Sequence, residues 1–155
     1  MLFRSGAREG VSADQDAQIV SSVVRLADRI VRDVMTPRAE VFAVEAAMPP
    51  RTMAEAIAGA AYSRVPVYRG SFDNVIGMVH AFDVIKVGPD TELPVRRIAK
   101  AADYQPCAEL MATMLRDRRH LGVVADASGR NVGIVTLEDL LETVVGDIRD
   151  EHDEA

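Results

Sequence analysis

One pattern occurs twice in this chain. A short apolar run opened by glycine stops at a single polar side chain, and a helical pattern with an acid in its first turn takes over. The later copy is Gly133-Ile134-Val135-Thr136-Leu137-Glu138-Asp139-Leu140-Leu141-Glu142, and the earlier is Gly77-Met78-Val79-His80-Ala81-Phe82-Asp83-Val84-Ile85-Lys86. The glycines stand at an offset of 133 − 77 = 56, and the acids at 139 − 83 = 56. A unit of that size is too small to bury a good core alone, so two copies are expected to pack on each other and share a cleft. The later junction combines free backbone N–H groups, the positive end of a helix dipole, a hydroxyl and a carboxylate. That set suits a ribose phosphate.

The rest of the chain repeats in the same order. Residues 1–14 are small and polar, and the periodicity from Asp16 to Asp33 (Ile19, Val23, Leu26, Ala27, Ile30) predicts a helix that Met35-Thr36-Pro37 ends. Val41, Phe42 and Val44 suggest a short strand. After Met48-Pro49-Pro50, Thr52 is placed to cap a helix with Met53, Ala56, Ile57 and Ala60 on its apolar face. Tyr62 to Arg69 reads as a strand, Gly70 to Asn74 as a turn, Val75 to Val79 as the return strand, and Asp83 to Val87 as a helix ended by Gly88-Pro89. In the second half Val95 to Ala99 leads in. Pro106 starts a helix with Cys107, Leu110, Met111, Met114 and Leu115 on one face. Leu121 to Asp126 and Val132 to Val135 are strands around a Ser128–Asn131 turn, and Thr136 opens the last helix. Matching Glu55 to Glu109 gives an offset of 109 − 55 = 54, so the two halves drift by two residues. The tail from Gly146 is acidic and has little to bury.

Composition excludes several classes. The net charge of −6 and an aromatic content of 5% with no Trp argue against nucleic-acid binding. Cys107 is the sole cysteine, which rules out an intramolecular disulfide and a Cys-cluster zinc site. No stretch approaches the roughly 18 apolar residues of a membrane span, and no signal-peptide core follows Met1. The chain therefore reads as soluble and is compatible with a reducing cytoplasm. No Walker loop, metal cluster or base beside a nucleophile is present, so no enzyme is expected.

From spacing alone, Thr136 and Asp139 read equally as a helix cap and as a ligand site. Asp83 repeats the acid, but His80 stands where the threonine would be, so the two clefts should be unequal, with the Thr136/Asp139 cleft the better nucleotide site. Tyr62-Ser63-Arg64-Val65-Pro66 reads as an edge strand, with Pro66 marking the edge. Thr36 before Pro37 is explained as a helix stop. His120 opens the matching strand of the second half, and its spacing from His80 and Asp83 is wrong for a local metal-ligand set. The methionines and Cys107 read as core filler.

Four stretches, in this order, carry a family resemblance: Val31 to Arg38, Tyr62 to Tyr68, Gly77 to Asp83, and Gly133 to Gly146. They closely resemble a tandem pair of cystathionine-β-synthase (CBS) domains, and more narrowly the pair of the CorC/HlyC magnesium and cobalt efflux family. The turn after Asp126 departs from the family's acidic-aromatic-glycine run, being Ala127-Ser128-Gly129-Arg130.

The resemblance implies an α/β (α+β) fold of two repeats, each a small three-stranded sheet with flanking helices, packed pseudo-symmetrically. The expected division is a flexible segment 1–15, a lead-in helix 16–34, repeats 35–88 and 89–146, and an acidic tail 147–155. It implies adenine nucleotide, ATP or AMP, with any Mg²⁺ carried by the phosphates. Thr136 would face phosphate and Asp139 would accept from both ribose hydroxyls. The backbone of Tyr62–Pro66 would read the adenine edge, Val65 and Pro66 would cover the ring, Arg64 would meet phosphate, and Thr36 would touch base or sugar. His80, Asp83 and His120 would form a weaker second cleft. The implied partners are a second copy, forming a homodimeric disc, and a membrane transport domain, which would hold the chain at the cytoplasmic face of the membrane. A structural dimerisation module without ligand is the alternative.

Overall fold

The computed structural model describes residues 16–17 and 28–143. Most of the lead-in helix expected over 16–33, the segment 1–15 and the acidic tail lie outside the described residues. Helix α1 is Val31–Val34, and Met35 leads into strand β1, Thr36–Pro37, followed by a 3₁₀ turn, Arg38–Glu40. The first repeat is β2 (Val44–Glu45), α2 (Pro50–Gly59), β3 (Arg64–Arg69), β4 (Ser71–His80) and α3 (Ala81–Val87). The second is β5 (Ala99–Ala102), α4 (Cys107–Asp117), β6 (Leu121–Ala125), β7 (Asn131–Thr136) and α5 over 137–143.

Each repeat makes a sheet whose first pair is parallel and second antiparallel, β2-β3-β4 and β5-β6-β7. The sheets are completed reciprocally. Strand β1, which precedes the first repeat, pairs antiparallel with β7 of the second, Thr36 opposite Ile134. Arg96, which precedes the second repeat, bridges Met78 of β4, with backbone bonds of 2.7 and 2.9 Å. Two glycines permit this. A Cβ on Gly77 would lie 2.5 Å from the Arg96 carbonyl oxygen, and one on Gly133 would strike the Thr36 carbonyl oxygen. The repeated glycine thus lets the other repeat's lead-in lie against the strand.

The helices pack one face onto each sheet. Met53, Ile57, Val65, Val67 and Val79 form one core. Cys107, Leu110, Met114, Val124, Val135 and Leu140 form the other, joined by Val31 of α1. Arg32 anchors α1 further, donating to Asp103 at 2.7 and 3.2 Å. A second clamp joins the repeats at the hairpin tips: Arg38 donates to Asp73 (2.6 Å) and to the Asn131 carbonyl (2.9 Å), and the Asn131 side chain donates to the Phe72 carbonyl (2.8 Å).

Several local expectations are corrected. Thr52 is exposed inside α2, which is capped at Pro49 with Pro50 at its first position, where a missing N–H removes no helix bond. The counterpart cap is Pro106, so the helix offset is 106 − 49 = 57 rather than 54. Glu55 and Glu109 are not equivalent. Offset 57 matches Met53 and Ile57 to Leu110 and Met114, all four buried. It persists into the strands (121 − 64 = 57) and falls to 56 after the hairpin, where the first hairpin carries an extra, bulged residue. Leu115 faces solvent, 51% exposed. Strand β3 is central rather than an edge. Pro66 is tolerated there because β2 covers only Val67 and Tyr68, so at Pro66 that flank of β3 needs no donor.

Candidate functional site: two unequal clefts

The first cleft is built on the junction between β7 and α5. Thr136 Oγ1 accepts from the Asp139 N–H at 3.1 Å, and Asp139 Oδ2 accepts from the Thr136 N–H at 3.3 Å. This reciprocal capping box uses one lone pair of the hydroxyl and one carboxylate oxygen. The Thr136 O–H and Asp139 Oδ1 take no further partner among the described residues. The cap therefore fixes both side chains and leaves one donor and one acceptor to spare. The cleft, about 170 Å³, is also lined by Thr36, Glu40, Val41, Phe42, Tyr62, Arg64 and Ile134. Phe42 and Tyr62 stack with ring centres 6.1 Å apart and planes inclined by 16°.

Of the other sequence-derived candidates, Thr36, Tyr62 and Arg64 line this cleft, and Ser63, Val65 and Pro66 do not. The Ser63 carbonyl is already occupied by the Ala81 N–H at 2.8 Å. Strand alternation turns Val65 away from Arg64 and into the first core, and Pro66 is buried opposite Met78. Val65 and Pro66, expected to cover a base, are buried and do not line this cleft. The apolar surface beside the polar junction is Val41, Phe42, Tyr62 and Ile134. Sequence reasoning missed Val41, Phe42, Glu40 and Ile134. Ile134 could have been found, because it lies two residues before Thr136 on the same strand face.

The second cleft, about 280 Å³, brings His80, Asp83 and His120 together with Arg64, Met78, Phe82, Lys86 and Arg96. Its junction is capped differently: His80 Nδ1 accepts from the Phe82 N–H at 3.1 Å, and the two rings stack at 5.2 Å. Asp83 is 3% exposed, and both its oxygens are held by Arg96, at 2.9 and 3.1 Å. Those bonds keep its carboxyl below the usual range despite burial. Burial first, and then the Arg64 charge, push the His80 imidazole down. Arg96 was not recognised from sequence. It is the positional counterpart of Thr36, since 134 − 78 = 56 relates the residues they bridge.

Arg64 borders both clefts. Its guanidinium lies 3.0 Å from Glu138, whose carboxylate is also 3.9 Å from His120. Its buried Nε has no hydrogen-bond partner among the described residues. Cys107 is buried in the second core, and burial pushes its thiol up to about 11, an inert setting.

Sequence and structure comparisons accord with this architecture. The family model described as CBS domain matches residues 31–90 and again 91–146. The chain belongs to the CBS domain family. This CBS pair is 35% identical over 142 residues to "Hemolysin C" of Rickettsia prowazekii (strain Madrid E), covering 88% of the chain and 47% of that protein. It is 27% identical over 163 residues to "UPF0053 protein YrkA" of Bacillus subtilis (strain 168), covering 99% and 38% respectively. The chain thus spans about half or less of the curated relatives it matches. Among solved structures, it is similar to the CBS domain of the bacterial CNNM/CorC family Mg²⁺ transporter in complex with ATP (29% identity, TM-score 0.76, covering 85% of this chain and 98% of that one). It is similar also to the same domain with the inhibitor IGN95a (29%, TM-score 0.78, 94% of each). No helix among the described residues is long and apolar enough to cross a membrane.

Proposed function

We propose that this CBS pair is a non-catalytic regulatory module that binds an adenine nucleotide, ATP foremost, in the Thr136/Asp139 cleft. The observation that carries the reading is the capping box, which presents an unused hydroxyl donor and an unused carboxylate oxygen at the start of α5. A carboxylate oxygen suits a ribose diol, and the unused Thr136 O–H at the start of the helix suits a phosphate oxygen; the Leu137 N–H beside it is already given to the His120 carbonyl at 3.0 Å. Phe42 and Tyr62 offer the base a flat apolar wall, and Arg64 adds charge toward the phosphates. Any Mg²⁺ would arrive on the phosphates. The ATP complex of the similar CNNM/CorC domain supports this choice of ligand.

The regulated partner would be a membrane transport domain of the CorC type, reached through the segment 16–34, with the module on the ATP-containing, cytoplasmic side. The repeats 35–88 and 89–146 would act as one unit and dimerise. Phe82 and Ile85 on α3, 64% and 79% exposed, and Leu141 on α5, 43% exposed, supply apolar surface for that contact. Nucleotide would act by binding two dimer shapes with different affinity.

Isothermal titration with ATP, ADP and AMP, with and without Mg²⁺, alongside sedimentation velocity, tests the proposal. Binding near one nucleotide per chain is expected, weakened about tenfold or more in Thr136→Ala, with no phosphate released. Absence of both binding heat and thermal stabilisation with all three nucleotides would leave a structural dimerisation module.

A further inference from the structure

The second cleft is chemically unlike the first. Three cations border it, Arg64, Lys86 and Arg96, against one acid, Asp83, so its lining carries 3 − 1 = +2 before either histidine is counted. Counting Glu138, which meets Arg64 from outside the lining, still leaves 2 − 1 = +1. The whole chain carries −6. A local excess of this sign is therefore set against the protein's overall field. Lys86 is exposed and makes no ion pair among the described residues. Arg96 spends Nε and one terminal nitrogen on Asp83, which leaves its other terminal nitrogen free to donate.

The same contacts set this cleft against the ligand chemistry of the first. A ribose diol needs an ionised carboxylate oxygen to accept its protons, and Arg96 holds both oxygens of Asp83. Where the first cleft has the threonine hydroxyl, the second has His80. Because its Nδ1 accepts from the Phe82 N–H, the neutral ring carries its proton on Nε2 and is a donor at that atom. Donors and positive charge predominate, and the acid that would accept from a sugar is 3% exposed and engaged by Arg96 through both oxygens.

We propose that the cleft formed by Lys86, Arg96, His80 and Arg64 is a receptor for a compact phosphate-type anion rather than for a nucleoside. The planar guanidinium of Arg96, positioned by Asp83, meets a phosphate oxygen with its free edge. Lys86 supplies an unpaired charge at the exposed side. Arg64, common to both clefts, makes the charge of an anion here perceptible to a nucleotide next door.

Inorganic pyrophosphate is the probe, titrated into the intact chain at low ionic strength, with heat and amide NMR shifts as readouts. Wild type is expected to bind it with shifts centred on α3 and on Arg96. Lys86→Gln, at an exposed position that leaves the fold intact, is expected to weaken it about fivefold, and Arg96→Gln about tenfold or more. Thr136→Ala, which tests the nucleotide cleft, is expected to leave in place the pyrophosphate shifts centred on α3 and Arg96, whatever anion it loses from the first cleft. Binding abolished by Thr136→Ala but indifferent to Lys86→Gln would put the anion in the first cleft and overturn the proposal. So would the absence of any heat or shift at millimolar pyrophosphate. Neither result bears on whether ATP binds, which the adenine nucleotides test separately.

Discussion

Replacing Gly133 by alanine puts a methyl group against the Thr36 carbonyl oxygen, with the Met35 sulfur 2.9 Å away on the same side. The sulfur ends a flexible side chain and can swing clear. The carbonyl is backbone, and it moves only if β1 moves off β7. Overpacking of this kind costs about 1–3 kcal/mol. Loosening a two-residue pairing adds about 0.5–1.5 kcal/mol for each hydrogen bond lost. Gly133→Ala is therefore expected to destabilise by about 2–4 kcal/mol, or about 5–15 °C in melting temperature for a chain of this size. Gly59 provides the contrast. It is the last residue of α2, and a Cβ there meets nothing within 4 Å. Gly59→Ala is expected to be neutral or to stabilise by up to about 1 kcal/mol. Urea and thermal unfolding of both variants check the pair. Because β1 also carries Thr36 to the first cleft, Gly133→Ala should weaken ATP binding by more than stability alone explains, at temperatures where it is folded. A Gly133→Ala protein within about 0.5 kcal/mol of wild type, the range of an inconsequential surface change, would refute the reasoning that glycine is there for the crossing strand.

Leu110 is fully buried in the second core, and Leu115 on the same helix is 51% exposed. Leu110→Ala is expected to lose about 2–5 kcal/mol and Leu115→Ala about 0.5 or less, read from urea midpoints. His80 is held below its ordinary value of 6.5, first by burial and then by the Arg64 charge. The unfolded chain therefore takes up this proton before the folded one does. Stability should fall as pH drops through 6.5 and level off below the folded value. His80→Asn, which keeps a cap acceptor, should remove that part of the slope between pH 8 and 5. An unchanged slope would assign it to other groups.

The repeat and the two junctions were legible because each is local: a glycine, an apolar run, a cap and an acid follow one another in sequence. Thr136 and Asp139 were legible for the same reason, as cap partners three residues apart. What could not be read is what arrives from elsewhere in the chain. Phe42 and Glu40 reach the first cleft because β1 crosses to the second repeat's sheet, and Arg96 reaches the second because its lead-in crosses the other way. Val65 does not line the cleft because a segment quoted as a motif alternates faces once it becomes a strand, and Pro66, on the face of Arg64, is buried opposite Met78. The helix register was misjudged by three residues because two glutamates matched by chance. Pro49 and Pro106, which cap the helices, carried the true offset.

The difference between the clefts follows from residues at equivalent places. Asp139 and Asp83 are the same acid at the same step of the same junction, at offset 139 − 83 = 56. Their chemistry diverges because the crossing strand brings Thr36 to the first cleft and Arg96 to the second. A threonine leaves the neighbouring carboxylate free to take a ligand, and an arginine consumes it. The first-strand position diverges too. Arg64 and Leu121 are counterparts at offset 121 − 64 = 57, and only Arg64 supplies charge, to both clefts at once. Duplication thus gives two pockets on one framework, unequal in size and lining. Two side chains delivered by the swapped lead-ins, Thr36 and Arg96, decide that one cleft leaves its carboxylate open and the other engages it. On the proposed reading, ligand selectivity in this pair is governed less by the junction itself than by what the other repeat lays across it.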